Sequence, residues 1–170
     1  QIGEQLWMAE NLKTTYYNNG ESIEYYNFNN DIDEIGSYIN GNEYLSYNTQ
    51  DDYYYNSIAV KDNRNICPED WHTPTVQEYM QLLEFIDAEA SVGLSLGNKS
   101  QIAGGLLKSN IFNGSNSFGF SANCNGYFDV HSGDIWNYTN IGGLFWSQTE
   151  GYYIHIYSEN NILDLGNTTQ

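Results

Sequence analysis

The sequence predicts an α+β domain, with one amphipathic helix near the middle of a 170-residue chain and strand-and-turn texture after it. Three observations carry this. Thr75-x-x-Glu78 is a capping box, and behind it Val76, Tyr79, Met80, Leu83 and Ile86 recur at three- and four-residue steps. From residue 110 onward, short aromatic and β-branched runs alternate with glycine and asparagine. Composition agrees, since 16 Gly and 16 Tyr against only 2 Pro describe short strands joined by tight turns.

The elements follow in chain order. Residues 2–12 place apolar side chains at Ile2, Leu6, Trp7, Met8 and Leu12, which fits a first strand and a tight corner. Residues 13–56 are rich in Tyr, Asn, Asp and Glu, read as strands and loops. Tyr53 to Val60 is the best candidate there for a short buried segment, helix or strand. The helix is expected over about residues 75–90, stopped before Gly93 and Gly97. Ile102 to Lys108 adds a helical turn, weakened by Gly104-Gly105. Strand pieces are expected at Phe118–Ala122, Gly126–Val130 and Gly142–Thr149. Tyr152 to Tyr157 alternates, with Tyr152, Ile154 and Ile156 on one face and Tyr153, His155 and Tyr157 on the other. Ile162 to Leu165 returns as the second arm of that hairpin.

The length suits one domain over residues 1–170. The opening at Gln1-Ile2-Gly3 carries no signal-peptide pattern, so a mature or excised domain is expected. No apolar run is long enough to span a bilayer as a helix. With 22 acidic residues against 5 basic ones the formal net charge is −17, which repels a phosphate backbone and anionic membrane surfaces. Nucleic acid is therefore excluded as a partner class. Cys67 and Cys124 are compatible with one disulfide, without proving an oxidising compartment.

Catalytic and metal motifs are poorly supported. A G-x-S-x-G nucleophile elbow is absent, and no triad can be nominated. His72, His131 and His155 lack zinc-ligand spacing. Asp31-x-Asp33-x-x-Gly36 begins like an EF-hand loop, but Ile35 replaces a ligand and Asn42 stands where a bidentate Glu is required. A looser calcium site using Asp31, Asp33, Glu34 or Asp51-Asp52 stays open, while no cofactor is expected. Many acids make some carboxylate pair inevitable, so glycosidase chemistry draws little support.

Recognition is better supported. Tyrosine offers rigid amphipathic area and asparagine offers donors and acceptors. The Tyr-rich stretches are Tyr16 to Tyr26 and Tyr53-Tyr54-Tyr55. A third candidate is the 130–140 loop with Trp136 and Tyr138, beside Tyr153, His155 and Tyr157. The competing explanation is that tyrosine and asparagine simply fill sheet faces and turns.

Five blocks in order carry a family resemblance: Ile2-Gly3-x-Gln5-x-Trp7-Met8-Ala9-Glu10-Asn11-Leu12, Cys67-Pro68-x-x-Trp71-His72-x-Pro74, Leu107-Lys108-Ser109, Phe118 to Ala122, and Gly143-x-x-Trp146-Ser147-x-Thr149-Glu150. Together they make the chain similar to the Fibrobacter succinogenes major paralogous (FISUMP) domain, a bacterial secreted or surface family. The resemblance implies a C-type lectin-like fold with a twisted antiparallel sheet and long irregular loops. It also implies an extracellular or outer-surface-anchored protein, secreted or a lipoprotein. The sugar-coordinating Glu-Pro-Asn and Trp-Asn-Asp motifs of true C-type lectins are missing.

The blocks have physical readings of their own. Trp7, Met8 and Trp146 read as core anchors, Trp71 as a plug between helix and sheet, and His72 as a histidine bonded to a nearby carbonyl or carboxylate. Many relatives end in a further strand with an arginine-cysteine pair, and this chain stops before it, so a missing final strand is expected. That leaves the partner of Cys67 open. Cys124 stands where relatives usually have no cysteine, and a Cys67–Cys124 disulfide is a candidate.

The function expected is a non-catalytic surface recognition or adhesion module binding a protein or glycan. The rivals are a structural accessory subunit of a cell-envelope complex and a carbohydrate-active enzyme.

Overall fold

A computed structural model describes residues 1–24, 45–47, 53–131, 134–137 and 141–168. The calcium-like run Asp31 to Asn42, the pair Asp51-Asp52, and Tyr25, Tyr26 and Tyr138 lie outside the described residues. The chain forms two compact units: residues 1–11, 74–126 and 139–170 make the first, and residues 12–73 and 127–138 make the second.

The first unit is built on a helix packed against a sheet. Helix α2 runs Val76–Ile86 with Thr75 as its N-cap. The expected capping box is present: Thr75 Oγ1 accepts from the Glu78 N–H at 3.2 Å, and Glu78 Oε2 accepts from the Thr75 N–H at 2.7 Å. The helix ends four residues short of residue 90. Asp87 leaves the helix at φ −146° and ψ 102°, and its carboxylate accepts from the Glu89 N–H and from Ser100 Oγ at 2.6 Å. An acid that bonds locally in this way competes with the next helical turn.

Four strands form the sheet, β3 (Gly97–Ser100), β6 (Gly142–Trp146), β7 (Tyr152–Tyr157) and β8 (Leu163–Asn167), in the order β3-β8-β7-β6 and antiparallel throughout. The alternation expected for 152–157 is what sets its register. Ile154 pairs with Leu165 and Ile156 with Leu163, all four fully buried, so one face is continuous hydrocarbon. Against it lie Val76, Tyr79, Met80, Leu82, Leu83 and Ile86 of α2, and Ala103 and Leu107 of the short helix α3 (Ala103–Leu107). Each fully buried Leu or Ile contributes about 1.5–3 kcal/mol of transfer free energy. Gly104 and Gly105 are close-approach positions, because a Cβ at 104 would stand 2.5 Å from the Ile162 carbonyl oxygen.

Two expected strands are turns instead. Gly3 at φ +57° folds the chain so that Ile2 and Gln5 bond each other at 2.9 and 3.1 Å, which ends any strand over 2–12. Ile2 is buried, Trp7 packs against the core while half-buried, and Met8 is half-buried. In Phe118–Ala122, Gly119 at φ +70° and Ser121 at φ +56° break the extended path, and only Ala122 bridges to Lys108.

The second unit holds the hairpins β1 (Leu45–Tyr47) with β2 (Tyr53–Tyr55), and β4 (Phe128–His131) with β5 (Asp134–Asn137). Tyr53 to Val60 thus splits into a strand and the start of helix α1 (Ser57–Lys61), capped by Asn56 on the Ala59 N–H at 2.9 Å. Its core is Tyr17, Ile23, Ala59, Ile66 and Cys67, with Leu12, Tyr53, Tyr55 and Trp71 packed against it. Trp71 therefore fills this second core, not a space between helix and sheet, because Cys67-Pro68 turns it back locally: its N–H bonds the Pro68 carbonyl at 3.0 Å. His72 is exposed.

The cysteines correct another expectation. Cys67 and Cys124 are both free and buried, one in each unit's core. Cys67 Sγ lies 3.7 Å from Thr73 Oγ1, and Cys124 Sγ donates to the Ile156 carbonyl at 3.6 Å. Burial pushes both thiols up, Cys124 to about 11.

Candidate functional site

The second face of the β3-β8-β7-β6 sheet gathers the chemistry. Period-two alternation that sends Ile154 and Ile156 into the core sends Tyr153, His155 and Tyr157 the other way. Direct cross-strand partners share their face. Trp146 stands opposite Tyr153, Leu144 opposite His155 and Gly142 opposite Tyr157 on one side. Across β8, Gly166 stands opposite Tyr153 and Asp164 opposite His155, and Asn98 of β3 follows opposite Asp164.

This face has an aromatic end and a polar end. Trp146 and Tyr153 meet edge to face, with centroids 5.9 Å apart and planes at 85°. Such a pair contributes about 0.5–1.5 kcal/mol beyond its buried area. The Tyr153 ring fills the space above Gly166. One residue pair along, about 7 Å by strand geometry, the ring centroids of His155 and Tyr157 lie 4.1 Å apart with their planes tilted by 33°. The Tyr157 hydroxyl donates to Asp164 Oδ2 at 2.8 Å. Asp164 Oδ1 is buried and accepts no hydrogen bond among the described residues.

Burial disfavours a charge on the histidine of the polar end. His155 is 9% exposed, and burial lowers its pKa from the ordinary value against the opposing pull of Asp164. Its ring lies over Gly142, where a Cβ would stand 2.5 Å from Nε2. The sheet's glycines therefore make room for rings on this face at two places.

The sequence-nominated residues divide. Tyr153, His155 and Tyr157 are brought together. Trp146, read as a core anchor, joins them half-buried on this face, because the register sets it opposite Tyr153. Tyr53, Tyr54 and Tyr55 belong to the second unit and are half-buried. Tyr55 is used structurally. Its hydroxyl accepts from the Thr14 N–H at 2.8 Å and donates to the Thr14 carbonyl at 2.9 Å, and burial raises its pKa. Trp136 has its backbone in β5 opposite Asp129, and Tyr138 lies outside the described residues.

Asp164 was missed by reasoning from the sequence. The signal was present in Leu163-Asp164-Leu165, where a polar residue between two core leucines must face the other side of a strand. Among the described residues, no group of three His, Cys, Asp or Glu side chains is placed to hold a metal ion. No described helix is long and apolar enough to cross a membrane.

A family model described as the Fibrobacter succinogenes major domain matches residues 1–155. The match takes in Trp146, Tyr153 and His155 and ends before Tyr157, Asp164 and Gly166. No curated protein and no solved structure matches the chain.

Proposed function

The chain belongs to the Fibrobacter succinogenes major domain family, and from that premise we propose a non-catalytic recognition or adhesion module, secreted or anchored at a bacterial outer surface, that takes a protein or glycan on the second sheet face. The observation that carries this reading is the grouping of Trp146, Tyr153, His155, Tyr157 and Asp164 on one face, with their hydrocarbon counterparts buried on the other. Rigid aromatic area beside a few polar groups is the usual composition of a recognition surface. The C-type lectin-like architecture is part of the same proposal, supported by one main helix packed on an antiparallel sheet. No cofactor is included in it.

A second reading, an accessory subunit of an envelope complex, draws on the large apolar side chains left in solvent. Ile111 is 82% exposed, Leu6 71% and Phe85 58%. The carbohydrate-active enzyme ranks last, since the polar neighbour of the Asp164 carboxylate is a tyrosine hydroxyl, not a second acid.

The test is a Trp146→Ala, Tyr153→Ala double variant, checked for native near-ultraviolet circular dichroism and probed on arrays of glycans and envelope proteins. Binding by the parent that is lost in the folded variant is expected. Equal binding by both sinks the assignment of this face. Loss instead on Ile111→Ser with Leu6→Ser favours the accessory subunit.

A further inference from the structure

We infer that a cationic protein segment docks on the outer side of helix α2, seating its own apolar side chains on Leu6 and Phe85 and its lysine or arginine groups against Glu4 and Glu84. This rests on the accessory-subunit reading above and narrows it to one surface and one kind of partner. It is separate from the second sheet face, because α2 covers the opposite, hydrocarbon face of the sheet.

Position is the first argument. The apolar arc of α2 is complete without Phe85: Val76, Tyr79, Met80, Leu82, Leu83 and Ile86 are all buried. Phe85 falls four residues after Gln81 and eight after Gln77, on the polar stripe that those exposed glutamines mark, and it is 58% exposed. The turn at residues 2–5 brings more apolar surface to that stripe. Gln5 Nε2 donates to the Glu78 carbonyl and to Gln81 Oε1, both at 3.1 Å. Gly3 lies against the Phe85 ring, where a Cβ would stand 3.1 Å from Cδ2, and Phe118 meets that ring edge to face with centroids 6.1 Å apart.

Leu6 completes the patch, and it is held outward. Its neighbours are both anchored: Trp7 Nε1 donates to Gln5 Oε1 at 3.1 Å, and the Trp7 ring stacks on Tyr79. Between them Leu6 is left 71% exposed. Gln81 and Phe85 are one helical turn apart, about 6 Å, so Leu6 and Phe85 border one surface. A surface fixed before binding loses little freedom when a partner arrives.

Charge names the partner. Glu4 lies inside the turn and Glu84 beside Phe85, both exposed, and neither carboxylate makes an ion pair among the described residues. An apolar centre with a charged rim is the anatomy of a protein interface. In sequence the first unit carries nine acidic residues against two basic ones, Lys99 and Lys108. Both lysines are buried, Lys99 donating to the Gly93 carbonyl at 2.7 Å and Lys108 to the carbonyls of Ser158 and Asn160 at 3.0 and 2.7 Å. The first unit thus offers a partner acids and no lysine or arginine. A cationic segment is attracted, and its lysine or arginine stems add hydrocarbon to the contact. A second copy of this chain brings the same net charge of −17, and an anionic lipid surface the same sign, so both are opposed.

The experiment titrates the folded domain with an amphipathic helical peptide of leucine and lysine, about 14 residues long, followed by calorimetry and by anisotropy of a dye on the peptide. Two counterparts carry glutamate for every lysine, or serine for every leucine. The leucine–lysine peptide should bind with a Kd below about 100 μM. Phe85→Ser and Leu6→Ser, each checked for native near-ultraviolet circular dichroism, should each weaken it about tenfold, or about 1.4 kcal/mol. Glu4→Gln with Glu84→Gln should weaken it about threefold and flatten its salt dependence. The two levels separate. Tighter binding of the glutamate counterpart, lost in Phe85→Ser, defeats the cationic partner and leaves the patch as a docking surface. Peptide binding indifferent to both Phe85→Ser and Leu6→Ser, equal binding of the serine counterpart, or no binding below about 1 mM defeats the patch itself. A dimer in sedimentation that Phe85→Ser abolishes overturns the inference in favour of a second copy. Binding to phosphatidylcholine vesicles that the same change abolishes overturns it in favour of lipid.

Discussion

The ring of Tyr153 stands where a side chain at position 166 would have to be, directly across the β7–β8 ladder. A Cβ built on Gly166 would overlap the outer ring carbons and hydroxyl of Tyr153. Glycine is there for space, and the space is used to lay an aromatic ring beside Trp146.

Gly166→Val should therefore destabilise the domain by about 1–3 kcal/mol, the usual range for overpacking, measured by urea unfolding. Tyr153→Ala combined with Gly166→Val should cost less than the sum of the two single changes, because the collision disappears with the ring. Strict additivity would show that the two residues do not share that space.

Both thiols should be silent in the native protein. Cys67 and Cys124 are buried and free, and each has its pKa raised by burial, so at neutral pH neither presents a thiolate. Ellman's reagent should find essentially none before unfolding and two per chain afterwards, without reductant. None after unfolding would restore the Cys67–Cys124 disulfide.

Much of the first unit was legible because its signals are local. The capping box at Thr75 and Glu78 and the strict alternation of 152–157 need only near neighbours, and both are found as read. Failures came where a single backbone conformation overrode an apolar pattern. Gly3 at φ +57° and Gly119 at φ +70° turn runs that look extended in sequence. Residue type alone could not say which face of the sheet a tryptophan takes. Trp146 was read as core, yet cross-strand register, a long-range property, sets it opposite Tyr153. The membership of Asp164 in the site depends on the same register.

Lys108 is expected to be a structural lysine. Its Nζ caps the carbonyls of Ser158 and Asn160 at the β7–β8 turn, and its backbone packs under Gly114. Lys108→Met keeps the hydrocarbon stem and removes the donors, leaving two carbonyls without them, a loss of about 1–3 kcal/mol. The melting temperature should fall while far-ultraviolet dichroism is kept. An unchanged melting temperature would mean that water replaces the ammonium without cost.

Chelation should leave the melting temperature unchanged. The described residues hold no three-ligand acidic or histidine group, and the EF-hand-like run from Asp31 fails at Ile35 and Asn42. A fall of several degrees in excess chelator, restored by calcium and not by magnesium, would establish a calcium site.

Acid should weaken the fold through His155. Burial lowers its folded pKa below the ordinary 6.5, while Asp164 opposes the shift without reversing it. Above 6.5 both folded and unfolded forms carry a neutral ring, so this histidine makes stability independent of pH there. Below 6.5 the unfolded chain takes up a proton that the folded site resists, and stability is lost as pH falls toward the folded pKa. Stability thus rises with pH across that window, and the slope levels off once the folded site is protonated too. His155→Gln cannot take up that proton. Denaturant unfolding at steps from pH 7.5 to 4.5 should show the two proteins separating in slope below about 6.5, the parent falling faster. Carboxylates remote from His155 are common to both proteins and cancel in the difference. Parallel curves throughout would show that His155 meets the same environment folded as unfolded, which its burial between Gly142 and the Tyr157 ring does not allow.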